Sequence, residues 1–349
     1  MKKTFTLTCL ILASVIGAGF ASGKEIEVFF TKYKMCGYIG ILFAFILFIF
    51  VFKLFLLFGN LYRPKNFFDA IKMLFGKAYK FVSVIVLICY FIVLAGMFAG
   101  MYEVFLYVFN ITISNVMVLI FLVLVSLQNG KGMGVVNKVN NFFIPITMCV
   151  LVVVATLTIK TSNFALENNA STYFGSLNSA VRYVGINILL AGSMLICEGK
   201  NYTKNNIKSA SFLSAFVLFL IILLFNIALS NNHFTSSMPM VKLSFSINYY
   251  VGLLTLICVL FAIYSSISSM AFVVSTSVFK TINGFKANAV VCLISYIISL
   301  FGFNKIVEFL YPIIGVVGII FSVVLYVKLQ KFMCKNKPTM QLNKNGFIK

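Results

Sequence analysis

Ile16-Gly17-Ala18-Gly19-Phe20-Ala21-Ser22-Gly23-Lys24-Glu25-Ile26 lies inside the first long apolar run of the chain. Gly17–Gly23 holds three Gly and three other small residues in seven positions. Each Gly costs a helix roughly 1 kcal/mol against Ala, so the run is weakest at its centre. Lys24, Glu25 and Glu27 follow at once. Charge at that depth of a membrane is costly unless it meets a wet cavity or a partner. The reading is a discontinuous membrane helix. Such a break bares N–H groups at one half-helix start and C=O groups at the other end, fit to hold a carboxylate and a cation or ammonium. Close packing of small residues is the competing use, but it leaves the adjacent charges unexplained.

The rest of the composition agrees with a membrane setting. Of 349 residues, 61% are hydrophobic and only 10% charged, against roughly a half and a quarter in soluble domains. That excludes an ordinary soluble enzyme. The 28 Lys and Arg against 7 Asp and Glu give +21. In a soluble protein this would suggest nucleic acid; here it reads as topology, and no nucleic-acid partner is expected.

A bilayer core about 30 Å thick takes about 20 helical residues. Ten spans are predicted: Phe5–Tyr33, Gly37–Phe58, Tyr79–Tyr107, Asn115–Leu127, Phe142–Ile159, Leu177–Cys197, Ser209–Leu229, Ile247–Thr276, Ala287–Gly302 and Leu310–Val327. The first is not a signal peptide, because charges stand where small cleavage-site residues belong. With the N-terminus in the cytoplasm, 21 of the 28 cations fall on inner loops and the tail. The positive-inside bias then puts both termini in the cytoplasm of a multi-pass cell-membrane protein.

Split into fives, the spans match in length: third with eighth, fourth with ninth. Long connections follow both the second (Gly59–Ala78) and the seventh (Ser230–Ser246). Five is odd, so the second half runs upside down, as in inverted-topology repeats. The expected domains are 1–160, 161–327 and a basic, disordered tail 328–349. The sixth span, partner of the first, carries Asn187 and then Ala191-Gly192-Ser193 near its middle. A second break is expected there, with close packing as the alternative.

At Ala13-Ser14-Val15-Ile16-Gly17-Ala18-Gly19-Phe20-Ala21-Ser22-Gly23-Lys24-Glu25-Ile26 the chain resembles the N-terminal signature of the YkvI-like membrane proteins of Gram-positive bacteria, amino-acid permeases of the amino acid–polyamine–organocation superfamily. Many members carry Gln where this chain has Lys24. The resemblance implies an all-α, ten-helix, five-plus-five inverted repeat of the LeuT type with the first and sixth helices broken. It further implies a small-molecule substrate between spans one, three, six and eight. Carried over residue by residue, the substrate site is Gly17, Ala18, Gly19, Phe20, Ala21, Ser22 and Gly23, with Tyr90 from span three and Asn187, Ala191, Gly192 and Ser193 from span six; for Tyr90, a single Tyr in an apolar helix, packing is the equal alternative. Span eight holds Ser265-Ser266-Ile267-Ser268-Ser269. In sodium-coupled relatives an adjacent hydroxyl pair there binds sodium together with first-helix carbonyls, and such oxygens suit a hard cation. Some proton-coupled relatives place a Lys from span five at this position; Phe142–Ile159 has none, which favours sodium as the coupling ion. Ser in membrane helices is also interhelical glue. No other cofactor is expected. The function implied is secondary active transport of a small amino acid or related zwitterion. The alternative is a germinant-receptor-like sensor that binds ligand without moving it.

Glu103 follows Gly96 and Gly100, whose spacing allows close helix approach. It needs a partner or a cavity, and Arg182, Lys24 and Lys32 are candidates. Glu25, Glu103 and Arg182 are expected to line the outer vestibule as coupling or gating groups, one carboxylate carrying a proton; a fixed ion pair is the other reading. Phe67–Phe75 reads as an amphipathic helix in an inner loop, fit for an inner gate or the lipid interface. The eight Cys show no C-x-x-C spacing and fall mostly in apolar runs, as buried hydrophobes do. The single His233 cannot assemble a His-based metal site. HExxH, GxSxG and P-loop motifs are absent, so no enzyme is expected.

Overall fold

A computed structural model describes residues 2–131, 133–161, 172–230, 236–279 and 284–335. His233, the end of the tail (336–349) and residues 162–171 at the start of the expected second half lie outside them. The described residues contain no strand. Backbone groups in lipid must be satisfied within the protein, by helices or closed barrels, and the described residues use helices.

The first span forms three pieces, α1 (Lys2–Val15), α2 (Ala18–Ser22) and α3 (Lys24–Phe29). Then follow α4 (Met35–Tyr62), the short α5 (Phe67–Phe75), α6 (Tyr79–Leu106), α7 (Ile111–Gly130) and α8 (Met133–Thr161). The second half runs α9 (Tyr173–Gly199), α10 (Lys204–Ser230), the short α11 (Pro239–Ile247), α12 (Tyr249–Val278), α13 (Gly284–Ser299), α14 (Phe303–Lys305) and α15 (Tyr311–Lys335), with a π-helical turn at Ile306–Leu310 before α15. Each predicted span is thus helical. Among the described residues, seven helices are long and apolar enough to cross a membrane, and Lys3–Val15, Pro145–Lys160 and Gly284–Ser299 are shorter apolar helices. By length and composition alone, seven of the expected ten are therefore met in full.

The two long connections correspond in a way the span lengths did not foretell. A nine-residue helix fills each of the two long connections, α5 after α4 and α11 after α10. Asn66 caps α5: its side chain accepts from Asp69 N–H at 2.8 Å, while Asp69 Oδ2 accepts from Lys65 N–H at 3.2 Å. This is an N-terminal cap of the expected type. Pro239 starts α11 at the helix position that needs no N–H.

Two expectations are corrected. The sixth span is one unbroken helix, α9. Its glycines Gly185, Gly192 and Gly199 recur at seven-residue spacing on one face. A Cβ on Gly192 would meet Phe55 Cε1 at 2.6 Å, one on Gly199 would meet Asn60 N at 3.1 Å, and one on Gly185 would meet Ile319 Cγ1 at 2.9 Å. Backbone approach to α4 and α15 outweighs the small propensity cost of Gly. The helix also extends past the predicted end of the last span: Lys328–Lys335 belongs to α15 rather than to a disordered tail.

α4 and α9 are tied where they end. Gly59 lets α4 approach Ile196, and Asn60 Nδ2 donates to Gly199 O (3.2 Å) and Tyr202 O (2.8 Å). Elsewhere, α7, α12 and α13 share a buried polar knot. Asn129 Nδ2 donates to Ser268 O and to Asn288 Oδ1, both at 2.9 Å, and Ser268 Oγ donates to Asn129 Oδ1 at 2.7 Å. Gln128 Nε2 donates to Ser268 Oγ at 2.9 Å.

Candidate functional site

The helical ladder of the first span fails where the sequence is weakest. Ile16 N–H still bonds Leu12 O at 2.9 Å, and the next rung is Ala21 N–H to Gly17 O, also 2.9 Å. Between them Gly17 is extended (φ −119°, ψ −168°). The last carbonyls of α1 and the first amides of α2 therefore lack partners within the helix. A second joint falls at Gly23, whose φ of +80° favours Gly. Ser22 bridges this joint: its hydroxyl donates to Gly19 O at 3.0 Å and accepts from Lys24 N–H at 3.2 Å.

The break faces spans three and eight. A Cβ on Gly17 would stand 3.7 Å from Met97 Cε and 4.0 Å from Ser266 Oγ. Gly19 faces the chain's own acid: the Glu25 carboxyl folds back over it, and a Cβ there would lie 2.7 Å from Glu25 Cδ. Phe20 and Ala21 are fully buried, and Phe20 packs against Phe225 of α10. Gly23 lies under Met240 of α11, whose Cγ would be 2.6 Å from a Cβ. Of Ala18 only the helical backbone is described.

Tyr90 is buried and donates its hydroxyl to Leu189 O of α9 at 3.2 Å, which joins spans three and six. Beside it Phe67 of α5 stacks on the Tyr90 ring (6.1 Å between centroids) and packs on Phe321 of α15 (5.7 Å). The amphipathic helix thus carries an aromatic wedge into the bundle. Near the middle of α9 the side chains of Asn187 and Ser193 reach backbone of their own helix. Asn187 Nδ2 donates to Tyr183 O at 2.9 Å, and Ser193 Oγ to Leu190 O at 3.5 Å. Ser193 also interacts with Tyr90, whereas Ser176 and Ser179 donate to Cys36 O (2.6 Å) and Phe29 O (2.7 Å). Ala191 and Gly192 have no free backbone ends, because α9 is continuous.

The four serines of span eight divide. Ser265 and Ser266 both donate to Ala262 O (3.1 and 2.8 Å), and Ser269 donates to Ser265 O at 3.0 Å. Ser266 is the serine that a Cβ on Gly17 would meet. Ser268 is held in the α7–α13 knot, away from it.

The charges pair otherwise than expected. Lys24 Nζ, on a side chain 6% exposed, lies 3.1 Å from Glu27 Oε2 and 3.1 Å from Glu308 Oε1. Glu103 interacts with Ser237, and no ion pair joins it to Arg182, Lys24 or Lys32 among the described residues. Arg182 Nε is buried without a hydrogen-bond partner, and the Arg182 backbone packs against Gly315. The expected Glu103–Arg182 pairing is therefore not formed: Arg182 sits on the close α9–α15 contact, while Glu103 faces the connection before α11. Gly96 and Gly100 make room for aromatic side chains, Tyr311 and Phe303.

Glu25 is 6% exposed and has no ion pair or hydrogen bond among the described residues. Tyr183 of α9 and Tyr311 of α15 lie within electrostatic reach of its carboxyl. Sequence reasoning missed Glu308, Tyr183, Tyr311 and Met97. Glu308 alone left a signal: in a chain with seven acids, an acid just ahead of the last span needs a reason.

The sequence pattern of a family described as "Spore germination protein" matches residues 3–251. The uncharacterized membrane protein YkvI of Bacillus subtilis (strain 168) is 24% identical over 344 residues, covering 95% of this chain and 96% of that one. Among solved structures, MhsT in complex with L-phenylalanine aligns with a TM-score of 0.67 at 14% identity, over 89% of this chain and 87% of that one. Mhp1, a nucleobase-cation-symport-1 family transporter with bromovinylhydantoin bound, gives 0.63 at 13% identity over 89% and 74%. A manganese transporter of Eremococcus coleocola gives 0.59 at 12% over 91% and 77%. These likenesses establish the LeuT-type fold. Relatives and neighbours alike are membrane proteins, not enzymes.

Proposed function

The chain belongs to the spore germination protein family, and we propose that it is a secondary transporter of a small amino acid or related zwitterion, working by alternating access with its termini in the cytoplasm. The observation that carries this reading is the broken first helix. The interruption of its helical ladder at Gly17 lies against Met97 of α6 and Ser266 of α12. Unwound backbone near the middle of a membrane bundle is tolerated where it lines a cavity or a binding site.

In this reading the substrate sits at Gly17–Gly23 and meets Tyr90 from span three. Sodium is the coupling ion, held by Ser265 and Ser266 with carbonyls of the first helix; the placement of Ser266 beside Gly17 supports this pair over Ser268 and Ser269. The Lys24–Glu27–Glu308 cluster fastens the outer piece of the first helix to the last span, as an outer gate would. The Phe67–Tyr90–Phe321 wedge lies towards the cytoplasmic loops, as an inner gate would. MhsT, with its bound L-phenylalanine, supports an amino acid as the first substrate class to try.

The test is uptake of a labelled amino-acid panel by proteoliposomes, with sodium and proton gradients imposed separately. Accumulation above equilibrium under one gradient is expected. The family's description favours a second reading, a membrane sensor that binds its ligand without moving it. Saturable binding without accumulation under either gradient would select that one.

A further inference from the structure

We infer that Glu25 is the anionic partner of a substrate ammonium group, so that this chain selects solutes bearing an amine. The inference rests on the ligand site proposed at the break in the first helix.

Four observations lead to it. The Glu25 carboxyl is buried beside the break, over the bare Cα of Gly19, with no side chain intervening. It has no cation or hydrogen-bond donor of its own among the described residues, although a buried charge is tolerated only when something pairs with it. The neighbouring cation is already committed, since Lys24 lies between Glu27 and Glu308. Finally, α9 is continuous, so it offers no free carbonyls from which a second broken helix would build an ammonium site. The bundle therefore lacks an acceptor for an ammonium group at the sixth helix and has an unspent one at residue 25.

The surroundings suit an alkylammonium better than a metal ion. Tyr183 of α9 and Tyr311 of α15 lie within electrostatic reach of the carboxyl. Phenolic oxygens accept N–H, and the Tyr183 hydroxyl is buried without a hydrogen-bond partner. A hard cation wants about six oxygens; one carboxyl and two phenols fall short. A carboxylate and an ammonium form a charge-assisted hydrogen bond, and the partner that the protein withholds from Glu25 is supplied by the solute.

The test uses the purified full-length chain and side-chain-matched sets of three solutes. These are phenylalanine, phenethylamine and 3-phenylpropionate; leucine, 3-methylbutylamine and 4-methylpentanoate; and alanine, ethylamine and propionate. Within at least one set the two amines are expected to bind and the amine-free acid not to. Glu25→Gln should weaken amine binding by about tenfold to a hundredfold. Glu25→Asp should retain part of it and, with an unchanged size-exclusion profile, show that the fold survives. Equal binding of the amine-free acid, undiminished amine binding by Glu25→Gln, or no amine bound in any set would overturn the inference. Uptake is scored separately. Accumulation of a solute whose binding ignores Glu25 would sink this inference alone, whereas Glu25-dependent binding without accumulation would sink transport and leave the inference standing.

Discussion

Lys24 Nζ stands 3.1 Å from Glu308 Oε1, so a buried cation of the first helix is fastened to the π-helical turn ahead of the last. Glu27 shares the same cation at 3.1 Å. The two acids are therefore not equivalent to the lysine. Glu308→Gln leaves Lys24 with one partner and, with Glu308 42% exposed, should cost about 0.5–1 kcal/mol. Lys24→Met strands two carboxylates and should cost about 2–3 kcal/mol. Thermal melting in detergent should rank them in that order, and Glu308→Gln should also speed release of a bound amino acid. Equal melting points would contradict the shared-cation geometry.

Gly192 is a packing residue of α9, set against Phe55 of α4. Gly192→Ala keeps a good helix former, yet it places a methyl 2.6 Å from Phe55 Cε1. Overpacking of this kind costs about 1–3 kcal/mol. Phe55→Leu in the same chain should return part of the lost melting temperature. If helix unwinding were the role of Gly192, the leucine would rescue nothing.

The knot around Asn129 is structural. Asn129→Ala leaves Asn288 Oδ1 and the Ser268 carbonyl and hydroxyl short of partners, at a cost of about 2–4 kcal/mol. The melting temperature should fall by several degrees while the KM for uptake stays within about twofold. A change in KM without a change in melting would place Asn129 in the binding pathway instead.

Sodium dependence should separate the serines of α12. Ser266→Ala should raise the sodium concentration needed for half-maximal uptake, because Ser266 faces the break. Ser268→Ala should lower stability and leave that concentration unchanged, since its hydroxyl is spent on Asn129. Uptake that ignores sodium in the unmodified chain would remove sodium from the proposal altogether.

The first-helix break was legible because it is a local property: clustered Gly lowers helix propensity wherever it stands, and the charges beside it were visible in the same eleven residues. Phe67–Phe75 was legible for the same reason, its apolar face being written at helical spacing. Gly192 was misread because unwinding and close packing use the same residue type, and only the neighbour, Phe55, distinguishes them. Likewise Ser268 looks like Ser266 in sequence, and its Asn129 partner is supplied by another helix. The Glu103–Arg182 pairing failed because membership of neighbouring spans says nothing about which way each side chain turns. α11 could have been found: Pro239 is a helix-start signal, and α5 occupies the matching connection.

The contrast between a jointed first helix and an intact α9 has a mechanical consequence. α9 is bound to α4 at Gly59, Asn60 and Gly199 and lies against α15 at Gly185. Such a strut transmits displacement from one end of the molecule to the other, whereas the joints at Gly17 and Gly23 absorb it. Deformation is thereby channelled into a few residues of a single segment, and between its two joints lies Gly19, the residue that Glu25 covers.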